Sequence, residues 1–251
     1  MFYFCYGGYF ALLRELVFNL NSYDYRNPYD VECHQESIFI WNYPNNPTGF
    51  LVKKANINQW NDNITVISDD VYITPKTYTA SLLSENSIGK QNLYTIGSAS
   101  KLFGLAGIRV GWVIASDDNI AVLKRRLHSL SLGVPTTSLV KLKNINLNIQ
   151  YESIMQLLKD NQNYCHSFCI QHNIHHMPLT ETSYYLLLDV SQFKIECALI
   201  KNFILAKFNV LVIGLNYQDK KFLRINLGVQ TNILAAGLNK INMALAMLRK
   251  I

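Results

Sequence analysis

Four short apolar runs in the first half of the chain constrain its fold more than any other feature. They occupy residues 37–41 (SIFIW), 64–68 (ITVIS), 92–97 (NLYTIG) and 108–115 (IRVGWVIA). Runs of this length, rich in β-branched and aromatic residues and separated by helical or turn-rich stretches, are typical of strands in an α/β sheet. In such a fold the loops that follow the strands carry the chemistry. The sequence therefore predicts an α/β architecture with its site at the strand ends.

The pattern changes in the second half of the chain. A helical pattern runs from residue 117 to about 172 and is interrupted at 133–135, where Gly and Pro separate two helices. The sequence after this helical region predicts a compact α+β unit. Its strands are expected at 183–190, 210–213 and 222–227, and its helices at 191–208 and 231–249. We therefore expect two domains, 1–150 and 151–251.

Composition excludes several classes of protein. Hydrophobic residues make up 49% of the 251 residues and charged residues 16%, so the chain can build a buried core. The sequence shows neither an apolar run long enough for a bilayer nor a basic signal-peptide start, so we expect a cytoplasmic protein that does not bind membranes. The net charge is +6, and the tight basic run at 124–126 fits a solvated helix face better than a nucleic-acid surface.

The cysteines do not suggest a disulfide framework. There are five, an odd number, and no two of them form a CxxC pair. Cys165, Cys169 and His172 share one face of a predicted helix, where a metal site is conceivable. However, no second pair with zinc-ligand spacing follows. The buried stripe of a helix is the favoured interpretation, and we expect no metal.

Polar segments follow three of the predicted strands. Residues 42–49 (NYPNNPTG) come after the first and are typical of a tight turn. Asp69 and Asp70 end the second and are followed closely by Tyr72. From the residues alone, the two acids fit a metal site, a surface turn or a charge partner for a ligand.

The third segment is SASKLFGLAGIRVGW, at residues 98–112. A lysine directly after a buried strand is costly unless it has a partner or loses its charge. A Schiff-base lysine meets this condition, because only the neutral amine attacks an aldehyde. The hydroxyls of Ser98 and Ser100 and the guanidinium of Arg109 could hold an anion beside Lys101. A lysine in a polar surface loop is the alternative.

Together, these segments resemble the aminotransferase class I/II family of pyridoxal 5′-phosphate (PLP) enzymes, which have fold type I. The family order is Asn-Pro-Thr-Gly, Asp-Asp-x-Tyr, Ser-x-Ser-Lys with a downstream arginine, and a late arginine on a strand, here Arg224 in FLRIN. The resemblance extends from about Tyr6 to the end of the chain. It implies a large domain with a mixed, mostly parallel sheet flanked by helices, and a C-terminal α+β small domain.

The resemblance implies a catalytic role for three residues. Lys101 matches the lysine that carries the cofactor and then moves the α-proton of the substrate. Asp69 matches the acid that keeps the pyridine nitrogen of PLP protonated, so that the ring can accept electrons. We expect the pKa of Asp69 to be depressed when it faces the pyridinium. Tyr72 and Asn46 match the two residues bonded to the phenolic oxygen of PLP, and Asn46 also faces the substrate.

Further residues match cofactor and substrate contacts. Ser98 and Arg109 match phosphate ligands, and Ser100 assists them. Arg224 matches the arginine that clamps the α-carboxylate of the substrate; a strand arginine in a surface ion pair is the alternative. Tyr6 resembles the aromatic residue that stacks on the pyridine ring, although Phe4 stands where the family has a proline, and a core tyrosine is the alternative.

The implied function is transfer of an amino group between an L-amino acid and a 2-oxo acid in amino-acid biosynthesis, by a homodimer. The alternatives are a PLP-dependent lyase or decarboxylase on the same fold, or a truncated, inactive PLP-binding homologue. The family has a long segment before the ring-stacking aromatic, including a glycine-rich phosphate-binding turn. We therefore expect an N-terminally truncated chain that retains PLP weakly and turns over little. Histidinol-phosphate, aromatic and kynurenine-type aminotransferases all share the visible motifs.

Overall fold

The computed structural model describes residues 8–15, 37–51, 64–80, 92–217 and 219–249. The backbone separates into two compact units. The first comprises Met1–Asn46 and Leu51–Glu152, and the second comprises Pro47–Phe50 and Ser153–Ile251. None of the described helices combines the length and the apolar character that a membrane span requires.

A four-stranded sheet organises the first unit. The strands are in the order β1 (Ile38–Asn42), β2 (Thr65–Asp69), β3 (Leu93–Ser98) and β4 (Gly111–Ile114). The first three are parallel, and β4 is antiparallel to β3. The α/β prediction and the four predicted strands are confirmed, since each predicted run overlaps one of these strands.

The last of these strands is shorter than predicted. Residues Ala106–Ile108 form a 3-10 turn, and Arg109 then takes a left-handed conformation with φ 58° and ψ 42°. These residues cannot lie in a strand, so β4 begins only at Gly111.

The helical region of residues 117–172 contains three helices, not two. The helices of the first unit and the one that leads into the second are α1 (Gly8–Glu15), α2 (Ala99–Leu102), α3 (Asp117–Ser131), α4 (Thr136–Lys143) and α5 (Leu147–Gln171). The predicted break at 133–135 is confirmed. The further break comes from Asn146, whose side-chain oxygen accepts hydrogen bonds from the N–H groups of Asn148 and Ile149 at 3.1 and 3.2 Å. This contact caps a new helix start.

The second unit contains a three-stranded antiparallel sheet with a helix packed on it. The strands β5 (Tyr185–Asp189), β6 (Ile213–Tyr217) and β7 (Lys220–Asn226) have the order β5-β7-β6. Helix α6 (Cys197–Phe208) contacts β6, β7 and helix α7 (Thr231–Leu248). Burial of the leucine and isoleucine side chains in this core stabilises the unit, by about 1.5–3 kcal/mol for each one. The fully buried ones are Leu186, Leu187, Leu188, Ile200, Ile204, Leu223, Leu227, Leu238, Ile241 and Leu245.

Two predicted boundaries in this unit are wrong. The strand placed at 210–213 begins at Ile213, because Asn209 ends α6 in a left-handed conformation and pairing with β7 starts where Ile213 faces Arg224. The helix placed at 191–208 begins at Cys197. The residues before it are held in a loop by Lys221, whose Nζ donates to the carbonyls of Phe193 and Ile195 at 2.5 and 2.9 Å.

Cys165 and Cys169 lie on the buried face of α5, as the buried-stripe interpretation predicts. Burial raises the pKa of the Cys165 thiol to about 12 and that of the Cys169 thiol to about 11. Both thiols are therefore protonated near neutral pH and behave as small apolar side chains. Within the described ranges, no group of three or more His, Cys, Asp or Glu residues is arranged to hold a metal ion.

The turn at Gly49 belongs to the second unit and requires glycine. Its φ is +73°, and a Cβ atom there would lie 2.6 Å from the Cα atom of Ser183. Thr182 and Thr180 donate their hydroxyls to the Gly49 carbonyl at 2.5 and 3.0 Å. Hydroxyl groups of one loop thus fix the end of the Asn-Pro-Thr-Gly motif.

We expect Gly49→Ala to lower the free energy of unfolding by about 2–4 kcal/mol, because it combines left-handed strain with a backbone collision. A urea titration of the full chain would measure the change. Gly237→Ala is the matched control: it lies in α7, and a Cβ atom there meets nothing within 4 Å. That variant should gain about 0.5–1 kcal/mol from helix propensity. Equal stability of the Gly49→Ala and wild-type chains would contradict the expectation.

Candidate active site

The carboxyl ends of the three parallel strands bring the predicted site segments to one edge of the sheet. Asn42, Asp69 and Ile96 face one another in the register of β1, β2 and β3. Because parallel strands point the same way, the segments that follow them leave the sheet on the same side. These segments contain Asn46, Tyr72 and Lys101, each predicted from a separate motif.

Asn46 and Tyr72 form a buried pair. The Asn46 side-chain amide donates to the Tyr72 hydroxyl at 3.1 Å. The backbone N–H of Asn46 donates to Oδ1 of Asn42 at 2.7 Å, and the Asn42 amide donates to the carbonyl of Asp69 at 3.4 Å. The two residues expected at the phenolic oxygen of PLP are therefore brought together by a network between β1 and β2.

Asp69 ends β2 with both carboxylate oxygens hydrogen-bonded. Oδ1 accepts from the backbone N–H of Val71 at 3.2 Å, and Oδ2 accepts from the hydroxyl of Tyr9. Burial raises the pKa of Asp69 from 3.8 to about 6, the Val71 N–H opposes the rise, and the charge of Asp70 adds to it. Desolvation outweighs the hydrogen bond from Val71, so the charged form is disfavoured when the protein acts alone.

This direction is opposite to the depressed pKa expected for Asp69 paired with a pyridinium. The raised pKa belongs to the protein alone, and the lowered pKa belongs to the protein with its cofactor. A lowered pKa requires a cation beside the carboxylate, and both described donors to the carboxylate are neutral groups. A half-buried carboxylate that lacks a cationic partner among the described residues fits a ligand that brings a positive charge. The site residues thus fit PLP, whose pyridinium supplies that charge.

Ser98, Ser100 and Lys101 lie where β3 turns into α2. Ser98 caps this one-turn helix: its Oγ accepts from the N–H of Ser100 at 3.1 Å and donates to the carbonyl of Val110 at 3.4 Å. Lys101 is half-buried in the last turn. The cap fixes the backbone that presents the lysine immediately after the strand.

Arg109 is exposed, in a left-handed turn. Its Nη1 donates to the carbonyl of Ala106 at 3.1 Å, which leaves other guanidinium N–H groups for a further acceptor. The N–H of Ala99 donates to the carbonyl of Val110 at 3.1 Å, so the segment that follows Arg109 is tied to the start of α2. Binding of the PLP phosphate by Ser98, Ser100 and Arg109 stays a prediction.

Arg224 lies on β7 of the second unit and is half-buried. Its guanidinium carbon lies 4.4 Å from the centroid of the Tyr185 ring on the neighbouring strand β5. A cation over an aromatic face is attracted by the ring. The structure confirms that Arg224 lies on a strand; its role as a carboxylate clamp stays a prediction. Tyr6, the predicted stacking residue, lies outside the described residues.

Sequence reasoning missed two aromatic residues beside the predicted site residues. Tyr9, whose hydroxyl bonds to Asp69, comes three residues after Tyr6 in the sequence YGGY. The segment that pointed to Tyr6 could therefore also have pointed to Tyr9. Tyr185, which faces Arg224, carries no motif of its own.

Comparison with known proteins agrees with this geometry. The family model described as aminotransferase class I and II matches residues 10–241. Histidinol-phosphate aminotransferase from Vibrio vulnificus is 35% identical over 102 residues, which cover 38% of this chain and 28% of that protein. The histidinol-phosphate aminotransferase of Buchnera aphidicola subsp. Schlechtendalia chinensis is 32% identical over 129 residues, which cover 48% of this chain and 34% of that protein.

Solved structures share the fold. An aminotransferase from Mycobacterium tuberculosis superposes with a TM-score of 0.76 at 17% identity, over 98% of this chain and 68% of that one. A PLP-dependent aminotransferase from Streptococcus suis gives a TM-score of 0.69 at 18% identity, over 84% of this chain and 58% of that one. These likenesses confirm the predicted α/β fold of the type I PLP enzymes.

The matches to the two histidinol-phosphate aminotransferases span only 28% and 34% of their length. The family model, by contrast, extends over most of the chain. This match, together with the solved PLP-dependent aminotransferase, confirms the predicted enzyme class and cofactor at the level of the family. The chain belongs to the aminotransferase class I and II family.

Proposed function

We propose that this chain is a PLP-dependent aminotransferase that transfers an amino group between an L-amino acid and a 2-oxo acid. The observation that carries the proposal is the buried Asn46–Tyr72 hydrogen bond, at the same sheet edge as Asp69. Residues 1–150 would hold the cofactor, and residues 151–251 would contribute Arg224. We also propose that it works as a cytoplasmic homodimer, as family resemblance suggests.

Each residue has a distinct task in this proposal. When bound, PLP supplies an electron sink for the carbanion at the substrate Cα. Lys101 Nζ would hold the cofactor covalently and would also move the proton at the substrate Cα. Asp69 would hold a proton on the pyridine nitrogen. The Asn46 amide and the Tyr72 hydroxyl would bind the phenolic oxygen and orient the ring.

Most of the remaining residues would bind two anionic groups, the phosphate of the cofactor and the anionic group of the substrate. Ser98, Ser100 and Arg109 would bind the cofactor phosphate, with the arginine supplying a charge-assisted grip. Arg224 would bind the anionic group of the substrate through the edge of its guanidinium, while Tyr185 covers its face. Tyr6 is proposed to stack on the pyridine ring.

The relatives favour one amino donor to test first. Two curated proteins that match this chain are histidinol-phosphate aminotransferases, at 35% and 32% identity. Histidinol phosphate carries a phosphate and lacks a carboxylate, and the planar fork of an arginine such as Arg224 suits either anion. We therefore propose histidinol phosphate, an amino alcohol phosphate, as the first donor to test beside the L-amino acids of the main proposal, among which aromatic amino acids and kynurenine are the candidates.

A half-reaction assay tests the proposed function. The full chain is loaded with PLP and mixed with each donor, while absorbance follows conversion of the cofactor to its amine form and mass spectrometry identifies the product. We expect a 2-oxo product and return of the original spectrum when a 2-oxo acid is added. Release of ammonia or carbon dioxide would replace the proposal with lyase or decarboxylase chemistry. Bound PLP that no donor converts would indicate an inactive homologue.

We expect Arg224→Lys to raise the KM for anionic donors by about 10- to 100-fold, because the variant keeps the charge but loses the two-pronged grip. The dissociation constant of PLP should stay unchanged. Steady-state kinetics with histidinol phosphate, amino acids and a simple amine that lacks an anionic group would measure the KM values, and a PLP titration would measure the dissociation constant. Arg125→Lys, on an exposed position of α3, is the matched control. Equal losses for anionic and simple amines would show that Arg224 supports the fold instead.

A further inference from the structure

Tyr9 is a side chain at this site that the proposed chemistry does not use. It lies near the start of α1, and its hydroxyl donates to Oδ2 of Asp69. Oδ1 of the same carboxylate accepts from the Val71 N–H, so the two donors hold its two oxygens separately. The plane of the carboxylate is thereby fixed by one contact from its own loop and one from a helix sixty residues away in sequence.

The two donors leave room for a third partner. An ionised carboxylate has about four lone-pair sites, and hydrogen bonds from the described residues use two of them. A pyridine N–H can therefore bond to Asp69 without displacing Tyr9. Two neutral hydrogen bonds also favour the charged carboxylate over its protonated form. Asp70 acts in the opposite direction, because its charge disfavours a second negative charge beside it.

We propose that Tyr9 is a positioning residue that holds the Asp69 carboxylate in its charged form and so keeps the shared proton on the pyridine nitrogen of PLP. The inference rests on the proposed function, because it requires Asp69 to face that nitrogen. A carboxylate that loses a hydrogen-bond donor becomes more basic. Without the Tyr9 hydroxyl, the proton shared between Asp69 and the ring nitrogen should move towards the carboxylate.

The test observes that proton directly. PLP labelled with ¹⁵N in its ring is bound to the full chain, and the ¹⁵N chemical shift reports protonation of the nitrogen independently of turnover. In the wild type we expect the shift of a protonated pyridine. In Tyr9→Phe the signal should move towards that of neutral pyridine, and the PLP dissociation constant should rise about three- to tenfold, through a weakened Asp69 contact. Tyr78→Phe, on an exposed tyrosine of the same unit, is the matched control and should resemble the wild type.

A double-mutant cycle separates positioning from simple packing. If Tyr9 acts through Asp69, then Tyr9→Phe should add almost nothing to the effect of Asp69→Asn on PLP affinity. Strict additivity, or an unchanged ¹⁵N signal in Tyr9→Phe, would overturn the role of Tyr9. A wild-type chain that binds no PLP, or binds it with a neutral ring nitrogen, would instead overturn the proposed function itself.

If Tyr9→Phe fails to fold, incorporation of 3-fluorotyrosine at position 9 keeps the hydroxyl as a stronger donor. It should hold the signal at the protonated value, and a signal moved towards neutral pyridine would overturn the inference.

Discussion

Replacement of Lys101 by alanine is expected to lower the rate of amino transfer by at least about ten-thousandfold, the upper end of what one positioned general base contributes. The lysine has two tasks in the proposed mechanism, attachment of the cofactor and movement of the Cα proton. Loss of both through a single side chain explains why the effect should exceed that of any other substitution. Folding should change little, because Lys101 is only half-buried at the end of a one-turn helix.

Three measurements check this expectation. Borohydride reduction of the PLP-loaded wild type, followed by peptide mapping, should place the pyridoxyl label on Lys101. A small primary amine such as methylamine should restore part of the activity of Lys101→Ala, because it replaces the missing amino group. Lys124→Ala, at an exposed position of α3, is the matched control and should keep full activity. A label on another lysine, or a fully active Lys101→Ala, would show that the assignment is wrong.

The second large effect is expected at Asp69. Asp69→Asn keeps the shape of the side chain but removes the charge that holds a proton on the pyridine nitrogen. Loss of such electrostatic stabilisation should lower the rate of Cα deprotonation by at least about a hundredfold. Deuterium exchange at Cα of the donor would measure that step separately from product release. An unchanged rate of deuterium exchange in Asp69→Asn would show that Asp69 does not have this role.

The same substitution should stabilise the cofactor-free protein. The pKa of Asp69 is raised from 3.8 to about 6, so folding favours the protonated acid. The protonated carboxyl contributes its full stabilisation when the pH is below the pKa of Asp69 in the unfolded chain. This stabilisation is lost as the pH rises through the pKa of Asp69 in the folded protein. The loss at neutral pH is roughly 3 kcal/mol. Asp69→Asn, which never ionises, should therefore be more stable than the wild type at pH 7, and urea titrations should show this gain disappearing towards pH 4.

Asp70→Asn is the control for this expectation. Asp70 is the neighbouring charge that raises the pKa of Asp69, and its Oδ1 accepts a hydrogen bond from the hydroxyl of Ser68 at 2.5 Å. Its replacement should lower the pKa of Asp69 and leave Cα deprotonation fast. A rate loss in Asp70→Asn as large as that in Asp69→Asn would mean that the two acids were assigned in the wrong order.

The sequence predicts the strands and the site edge well because both depend on local patterns. The apolar runs that became β1, β2 and β3 are each followed by a polar residue, Asn42, Asp69 or Ser98, at which the strand ends, so pattern and structure agree. Asn46 and Tyr72 were predicted from separate motifs, and the structure joins them by a hydrogen bond. Their roles towards the cofactor remain predictions.

Two boundary failures and one missed contact share a physical cause, which is dependence on partners distant in sequence. The start of β6 at Ile213 is set by pairing with β7, and the late start of α6 by the Lys221 side chain. The contact between Tyr9 and Asp69 also joins distant residues, and no pattern within either segment reports it. Local reasoning identifies the residues that can do chemistry but not the neighbours that tune them.

The raised pKa of Asp69 also has a consequence for the life of the protein in a cell. A ligand that binds only the folded state stabilises it in proportion to its concentration over its dissociation constant. The proposed pyridinium would also relieve the unfavourable charge of the half-buried carboxylate. Chains made when vitamin B6 is scarce would therefore unfold more often, and proteases act on the unfolded state. Cofactor supply would then set the abundance of this protein as well as its activity.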